Sequence, residues 1–417
     1  MRMKAIERCR ICDLSQFREL FDLGQLHSCG VFPRRSEPDP PVAPLNLVQC
    51  AACGLVQLSH DFAGDDLFRS TYGYRSGLNE SMVTHLGRIT AAAQRRVALK
   101  PRDIVLDIGS NDGTLLSSYS VADIVRIGID PTIARFRKYY PPGVLALDDF
   151  FNEKNFRKLC ISGSARIVTS ISMFYDLPAP NEFVRDLASI LAPDGVWILE
   201  QSYLPSMVDR NSFDTICHEH LEYYCLRQII DLTARHGLRV FDVSLNDVNG
   251  GSFQVWACRE DGPYAPNIDA MGGLLETEER QGYASGKPIL NLKARINSVR
   301  ASVLEFFVNA RRQGKLVHGY GASTKGNTLL QFFGITPELL PAIAERNEEK
   351  FGCRTPGTGI PIISEDESRA LRPDYYFVLP WHFQEAFLKR ESDFIARGGR
   401  LVFPLPNLDI VPAMANP

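Results

Sequence analysis

The densest chemistry in the chain is Thr215-Ile-Cys-His-Glu-His-Leu-Glu-Tyr-Tyr224, which gathers two histidines, two carboxylates and two tyrosines into ten residues. Histidine ionises nearest neutral pH, so it is the natural general base, and a flanking carboxylate can orient it or hold its protonated form. The stretch is not the zincin helix motif: there the histidines stand four apart, whereas His218 and His220 are two apart. It reads as an active-site loop, the alternative being a surface loop whose histidines are satisfied locally.

A second centre is Val105-Leu-Asp-Ile-Gly-Ser-Asn-Asp-Gly-Thr-Leu-Leu116, a strand, an Asp-x-Gly-x-x-x-Gly turn and a helix start. Its glycines let a ligand approach the backbone, and Asp130, closing the next strand before Pro131, can take both hydroxyls of a ribose. Asp107 and Asp112 would repel a pyrophosphate but tolerate a sulfonium with an amino group, so the turn suits S-adenosylmethionine better than a dinucleotide. The alternative is an incidental glycine-rich turn.

Cys9-Arg-Ile-Cys12 and Cys50-Ala-Ala-Cys53 are two Cys-x-x-Cys knuckles in a segment too small to fold on apolar burial alone. Four thiolates on one tetrahedral zinc leave no open position, which predicts a structural ion. Gly319-Tyr-Gly-Ala-Ser-Thr-Lys-Gly-Asn-Thr328 follows a strand and opens a helix, offering N–H groups, hydroxyls and Lys325 to a phosphate, or serving only as a crossover turn. Asn249-Gly-Gly-Ser252 precedes a strand and reads equally well as a plain turn.

These residues need a scaffold of some size. At 417 residues the chain exceeds the ~150 expected of one domain. Its 45% hydrophobic and 23% charged residues are ordinary for globular proteins, which excludes general disorder, and no apolar run reaches the ~20 residues of a membrane span. A net charge of −3 gives no general attraction to nucleic acid or anionic lipid. The start, Met1-Arg-Met-Lys-Ala-Ile-Glu-Arg8, lacks a secretory apolar core, which predicts a cytoplasmic protein with reduced thiols.

Residues 1–70, with the Pro-rich stretch Pro33 to Pro44, read as a zinc mini-domain. Residues 71–265 read as an α/β domain with a helical lead-in over 71–100 that Pro101 stops. Strand-like runs at Ile104, Val125, Ile167, Gly195, Leu238 and Ser252 alternate with helical ones and predict a doubly wound parallel sheet. Residues 266–417 read as a polar helical connector followed by a second, smaller α/β domain.

In this order the motifs resemble those of the nucleotide-sugar C-methyltransferases, S-adenosylmethionine-dependent enzymes with an N-terminal zinc-binding domain, of the kind that methylates C3 of 4-keto-6-deoxy sugars. The likeness spans nearly the whole chain. It implies a Rossmann-like methyltransferase domain between the zinc-binding domain and the C-terminal α/β domain, with zinc on Cys9, Cys12, Cys50 and Cys53. It also implies cofactor contacts at Tyr74, Ser76, Gly109, Asp130 and Asp149 with Phe150, a set completed by Asp107, Asn111, Asp112, Pro131 and Ser172. The general base would be His220, supported by Glu219. A nucleotide-diphosphate sugar would be held by Lys325 and Asn327 for the diphosphate, with Tyr203, Asn249, Arg346, Asn347 and Trp381 nearby.

This chain departs from the family pattern at several points. Cys217 stands where many relatives place a tyrosine thought to steady the enolate, so Tyr223, Tyr224 and His218 become candidates to replace it. Ser172-Met-Phe-Tyr-Asp176 stands for Asn-x-x-x-His, Glu200-Gln-Ser-Tyr203 for Glu-Phe-Pro-Tyr, and Asn249 for the histidine of His-Gly-Gly-Ser. The changes leave cofactor and base in place while altering the sugar pocket, so they leave the acceptor and the methylated atom open. The expected reaction is His-catalysed deprotonation beside the ketone, then methyl transfer to carbon; the alternatives are O- or N-methylation of a nucleotide sugar and a non-enzymatic zinc-ribbon binding protein. The oligomeric state is open.

Overall fold

The apolar runs between Ile104 and Arg259 become strands because a sheet covered on both faces lets every residue of a short run be buried, as all of Ile104–Ile108 are. The computed structural model describes residues 3–69 and 73–412; the boundary expected at residue 70 and both ends of the chain lie outside them. Seven strands form the central sheet in the order Leu238–Asn246, Ser252–Arg259, Leu191–Ser202, Ala165–Ile171, Ile104–Ile108, Val125–Ile129, Leu145–Leu147.

The expectation of a wholly parallel sheet needs one correction: Ser252–Arg259 runs antiparallel to both neighbours. Residues 247–251 form a tight connection, and a parallel crossover needs a dozen residues or more. The lead-in helix, Glu80–Arg96, buries Met82, Leu86, Ile89 and Ala93 along one stripe and starts at Asn79, whose side chain accepts from the Ser81 N–H.

The N-terminal segment is built from the antiparallel strands Phe17–His27, Val42–Cys50 and Val56–Leu58. Its fourth strand, Glu222–Tyr223, comes from the central domain and pairs with Val56–Leu58. The mini-domain is wedged between the two larger ones. Cys9, Ile11, Cys50 and Leu55 share a core with the central sheet, whereas Leu20, Leu45 and Leu58 share one with the C-terminal domain.

Helices Ile268–Gln281 and Lys287–Arg312 connect to the last sheet, ordered Ile362–Ser364, Ile343–Glu345, Val317–Tyr320, Tyr375–Val378, Arg400–Phe403, Asp409–Val411. Its first five strands are parallel, and numbered along the chain the order is the 3-2-1-4-5-6 arrangement that places ligands where loops diverge at the strand ends. The divergence point holds the Ser323–Lys325 turn and the Pro380–His382 loop. No helix among the described residues is long and apolar enough to cross a membrane.

Candidate active site

The four knuckle cysteines converge. Their sulfurs all lie within 4.8 Å of one another, with Cys9 and Cys53 3.5 Å apart and Cys12 and Cys50 3.4 Å apart. A tetrahedral ion with Zn–S bonds of ~2.3 Å needs sulfurs about 3.8 Å apart, so the set fits zinc. Each knuckle turns back through a positive-φ residue, Asp13 or Gly54. Gln57 donates to Cys9 Sγ at 3.3 Å, an outer bond of the kind that orients a ligand. No cysteine is paired in a disulfide among the described residues.

A cavity of about 860 Å³ runs from the Asp107–Asn111 turn to the Lys325 turn, at the upper end of ligand-site volumes. Among the described residues its wall carries seven carboxylates and Lys325 as its one lysine or arginine. Charge is therefore graded along it: the end between the central strands favours a cation, and an anion is favoured only beside Lys325.

At the acidic end, Gly109 adopts φ +73, and a Cβ there would meet Met173 Cγ at 2.9 Å. The Asn111 N–H donates to Asp130 Oδ2 at 2.8 Å, and Thr132 gives its N–H and hydroxyl to Oδ1, which fixes the carboxylate at the cavity wall. Asp107 accepts from Thr169 at 2.6 Å; burial, aided by Asp130, pushes its pKa up to about 7. The segment around Tyr74 and Ser76 folds over this turn because the Ser76 N–H donates to Asn111 Oδ1 and Asn111 Nδ2 to the Tyr74 carbonyl. Tyr74, Ser76, Asp107, Gly109, Asn111, Asp130, Pro131, Phe150 and Ser172 all line the cavity. Two carboxylates beside the apolar faces of Pro131 and Phe150 suit an adenosyl ligand that carries positive charge.

Asp112 and Asp149, also expected there, are not on the wall. Asp112 is a tie: its carboxylate accepts from the Gly77 N–H and from Thr114, and it pairs with Arg75. Asp149 accepts from the Phe150 N–H and so shapes the turn that presents Phe150.

His220 and Glu219 line the middle of the cavity. His220 Nδ1 lies 2.8 Å from the Thr215 carbonyl, which can only accept, so Nδ1 carries the proton and Nε2 is the free base. Burial, and then the charge of Lys325, push the imidazole down to about 3. It is neutral at physiological pH. Glu219 is fully enclosed, and burial raises its carboxyl. The loop owes its shape to neighbours on both sides: the Leu221 N–H donates to the Tyr175 carbonyl at 2.7 Å and its carbonyl accepts from the Leu58 N–H at 2.8 Å.

The three candidates to replace the missing tyrosine face elsewhere. His218 Nε2 meets the Ala43 carbonyl and its ring packs edge-on against Phe62. The Tyr223 and Tyr224 hydroxyls are enclosed inside the protein, away from the cavity wall. Tyr223 lies in, and Tyr224 just after, the strand that adds to the N-terminal sheet, which carries both off the site.

Lys325 is half-buried at the opposite end, where its Nζ donates to the Asn249 carbonyl at 2.6 Å. Asp214, held by the Trp381 indole N–H at 2.8 Å, supplies the opposing charge. Trp381 therefore orients a partner of Lys325 and does not face the ligand space. Asn249 Nδ2 donates to Ser172 Oγ at 3.2 Å, and both residues have φ +55, so two of the positions that depart from the family pattern are coupled at the wall.

Tyr203, Asn327, Arg346 and Asn347 are off the wall. Tyr203 donates to Glu278 at 2.8 Å in the interior, Arg346 is exposed, and Asn347 caps a short turn through Glu349. Asn327 Nδ2 donates to the Cys29 carbonyl at 2.7 Å, which fixes the loop that presents Gly30 to Glu219. Its role is to place the N-terminal loop.

Sequence reading missed His382. It lines the cavity, burial and the charges of Lys325 and Arg210 keep it neutral, and its enclosed Nδ1 has no partner among the described residues. Its place just after a strand at the divergence point of the C-terminal sheet was the available signal.

Three family models match successive parts of the chain. Residues 9–68 match a family model described as "Putative zinc binding domain", 82–243 one described as "Methyltransferase domain", and 247–406 one described as "C-methyltransferase C-terminal domain". The chain is 30% identical over 417 residues to C-methyltransferase NovU of Streptomyces niveus, covering 99% of this chain and 98% of that protein. Among solved structures, the plantazolicin methyltransferase BpumL in complex with SAH is 13% identical, with a TM-score of 0.34 over 43% of this chain and 85% of its own. Magnesium protoporphyrin IX methyltransferase (ChlM) from Synechocystis PCC 6803 with bound SAM is 14% identical, with a TM-score of 0.31 over 43% of this chain and 78% of its own. At that distance neither says anything about substrate.

Proposed function

The chain belongs to the family of S-adenosylmethionine-dependent C-methyltransferases with an N-terminal zinc-binding domain, and from that premise we propose that it methylates a carbon beside the ketone of a 4-keto-6-deoxy nucleotide sugar. The observation that carries this reading is His220, a neutral imidazole with an unprotonated Nε2 on the wall of the cavity that also contains the acidic cleft and Lys325. A base is needed where carbon is to become the nucleophile.

The diphosphate takes the Lys325 end, where the cation lies, and the sugar ring extends toward His220. A ketone at C4 acidifies C3 and C5; the family resemblance points to C3. His220 Nε2 removes that proton, and the Thr215 carbonyl, already bound to Nδ1–H, steadies the imidazolium. Glu219, within the same loop, is a further anionic group once ionised. The acidic end, through Asp107, Asp130 and the Tyr74–Ser76 segment, would hold the cofactor; when bound, S-adenosylmethionine supplies an electrophilic methyl group on a sulfonium. The surrounding wall positions the reactants and keeps water out.

Zinc takes no chemical part in this scheme, because four thiolates close its coordination. The division of the chain at residues 70 and 265 goes with the proposal, as does a cytoplasmic setting, in which ten unpaired cysteines are at home. The test is incubation with cofactor and a panel of thymidine- and uridine-diphosphate 4-keto-6-deoxyhexoses. A product heavier by one methylene, with the new methyl placed on carbon by NMR, is expected; methyl on oxygen or nitrogen, or no product across the panel, overturns it.

A further inference from the structure

The site as described offers a base, but Cys217 stands where the family resemblance implies a tyrosine for the enolate, and the residues that could most obviously replace it face away. Among the polar side chains left on the wall, His382 lies at the Lys325 end, where that charge acts on it, and Asp176 adjoins the loop of the base. Asp176 ends the short turn Phe174–Asp176 and lines the cavity. This turn is stitched to the catalytic loop: the Tyr175 carbonyl accepts from the Leu221 N–H at 2.7 Å, and the Tyr175 ring lies 4.1 Å from the His220 ring, centre to centre. Base and carboxyl therefore sit on adjoining segments that face one space. Asp176 Oδ1 is enclosed and has no hydrogen-bond partner among the described residues.

We propose that Asp176 is a further catalytic residue, whose carboxyl O–H donates the hydrogen bond that stabilises the enolate oxygen formed when His220 deprotonates the adjacent carbon. The assignment rests on the 4-keto sugar reading above. A carboxyl can donate only if it keeps its proton, and the surroundings enforce this. Asp176 is half-buried by surface, yet its carboxyl is desolvated and the Glu219 and Glu222 carboxyls bear on it, so it is raised well above the ordinary range. An acid kept neutral in an apolar site is a strong donor to a developing oxyanion. In the step itself, the C–H bond breaks, its electron pair becomes the carbon–carbon π bond of the enolate, the ketone π pair moves onto oxygen, and the proton goes to His220 Nε2. Asp176 shares its proton with that oxygen, and no electrons leave the pair of reactants.

Lys325 is the rival donor, but its amine is engaged by the Asn249 carbonyl and offset by Asp214, at the end suited to the diphosphate. Asp176 also carries a mark of function: a desolvated carboxyl whose enclosed Oδ1 finds no partner among the described residues costs folding stability, so removing it should raise the melting temperature.

The experiment measures deuterium exchange from D2O into the carbons beside the ketone of the same nucleotide-sugar panel, without cofactor, for wild type, Asp176→Asn, Asp176→Ala and His220→Asn. Cofactor affinity and melting temperature are measured in parallel. Asp176→Asn keeps a donor and should exchange within about tenfold of wild type; Asp176→Ala should lose about 100-fold or more, with unchanged cofactor affinity and a higher melting temperature. Exchange by Asp176→Ala within a few-fold of wild type, or an Asn variant as slow as the Ala variant with cofactor affinity intact, overturns the assignment while leaving the substrate reading in place. If wild type neither exchanges nor methylates any member of the panel, the substrate reading falls and this assignment falls with it.

Discussion

Arg10 donates from Nη1 to the carbonyl of Leu221 at 3.3 Å, so the residue after the first knuckle cysteine holds the peptide that follows His220. The same guanidinium bonds the Leu58 carbonyl at 3.0 Å and Asp61 at 2.6 Å, and lies 3.6 Å from Glu222. The four-cysteine site and the His-Glu-His loop are thus one mechanical unit, because the strand Glu222–Tyr223 completes the sheet of the zinc-binding segment.

Zinc removal should therefore be felt at His220. Chelation is expected to raise amide hydrogen exchange across residues 217–224 before the central sheet opens. Arg10→Met, which removes the Asp61 ion pair and the donors to the Leu58 and Leu221 carbonyls, should cost on the order of 3 kcal/mol in denaturant unfolding. Unchanged protection of the loop in zinc-free protein would separate the two.

Gly30→Ala tests the contact that presents Glu219. A Cβ at Gly30 would lie 2.3 Å from Glu219 Oε1, while its backbone φ is one that alanine accepts. The glutamate must move, and misplacement by about 1 Å at a catalytic loop costs on the order of 100-fold in turnover. Steady-state kinetics should show that loss with cofactor affinity unaltered; full activity would mean that the position of Glu219 is immaterial.

The low pKa of His220 sets a pH signature. As the proposed base, His220 works when neutral, so its own acidic limb in kcat/KM belongs near pH 3 and not near 6.5, and activity between pH 5 and 8 should not follow it. Its folded value lies below its unfolded value, so its contribution to stability is full above pH 6.5 and is lost as pH falls toward 3, by up to about 1.4 kcal/mol per unit. His220→Asn should flatten that part of the stability profile and abolish turnover; an NMR titration of the ring with a midpoint near 6.5 would refute the assigned environment.

Asp107 behaves in the opposite sense. Its folded pKa, about 7, exceeds its unfolded value, so folding favours the protonated acid and loses stability as pH rises from about 4 through 7. A cationic cofactor favours the ionised form. Calorimetry should find S-adenosylmethionine binding tighter at pH 8 than at pH 6, with proton release at the lower pH. Asp107→Asn should remove that dependence, weaken binding and raise the melting temperature at pH 8.

Much of this was legible locally. The cysteine spacing determines two knuckles whatever else the chain does, because each turn is closed by its own backbone. The Asp107–Gly113 turn and Asp130 lie on adjacent parallel strands, so a strand–turn–helix pattern was enough to bring them together. Less legible was which side chains of the His-Glu-His region face the cavity. Tyr223 and Tyr224 looked available by type, but their direction is dictated by a strand pairing with Val56–Leu58, far away in the chain. Asn327 looked like a phosphate ligand by motif, yet it serves the Cys29 loop of another domain.

By itself, then, the sequence determined the residue chemistry and the local turns: four thiols for one metal, an acidic glycine turn for a cationic adenosyl ligand, an imidazole for a base. Tertiary structure alone decided that His220, Asp176, Lys325 and His382 share one cavity while His218, Tyr223 and Tyr224 do not. The physical reason is that turns are closed by neighbouring backbone, whereas the direction of a side chain in a loop is set by whichever distant strand or helix satisfies that loop's N–H and carbonyl groups.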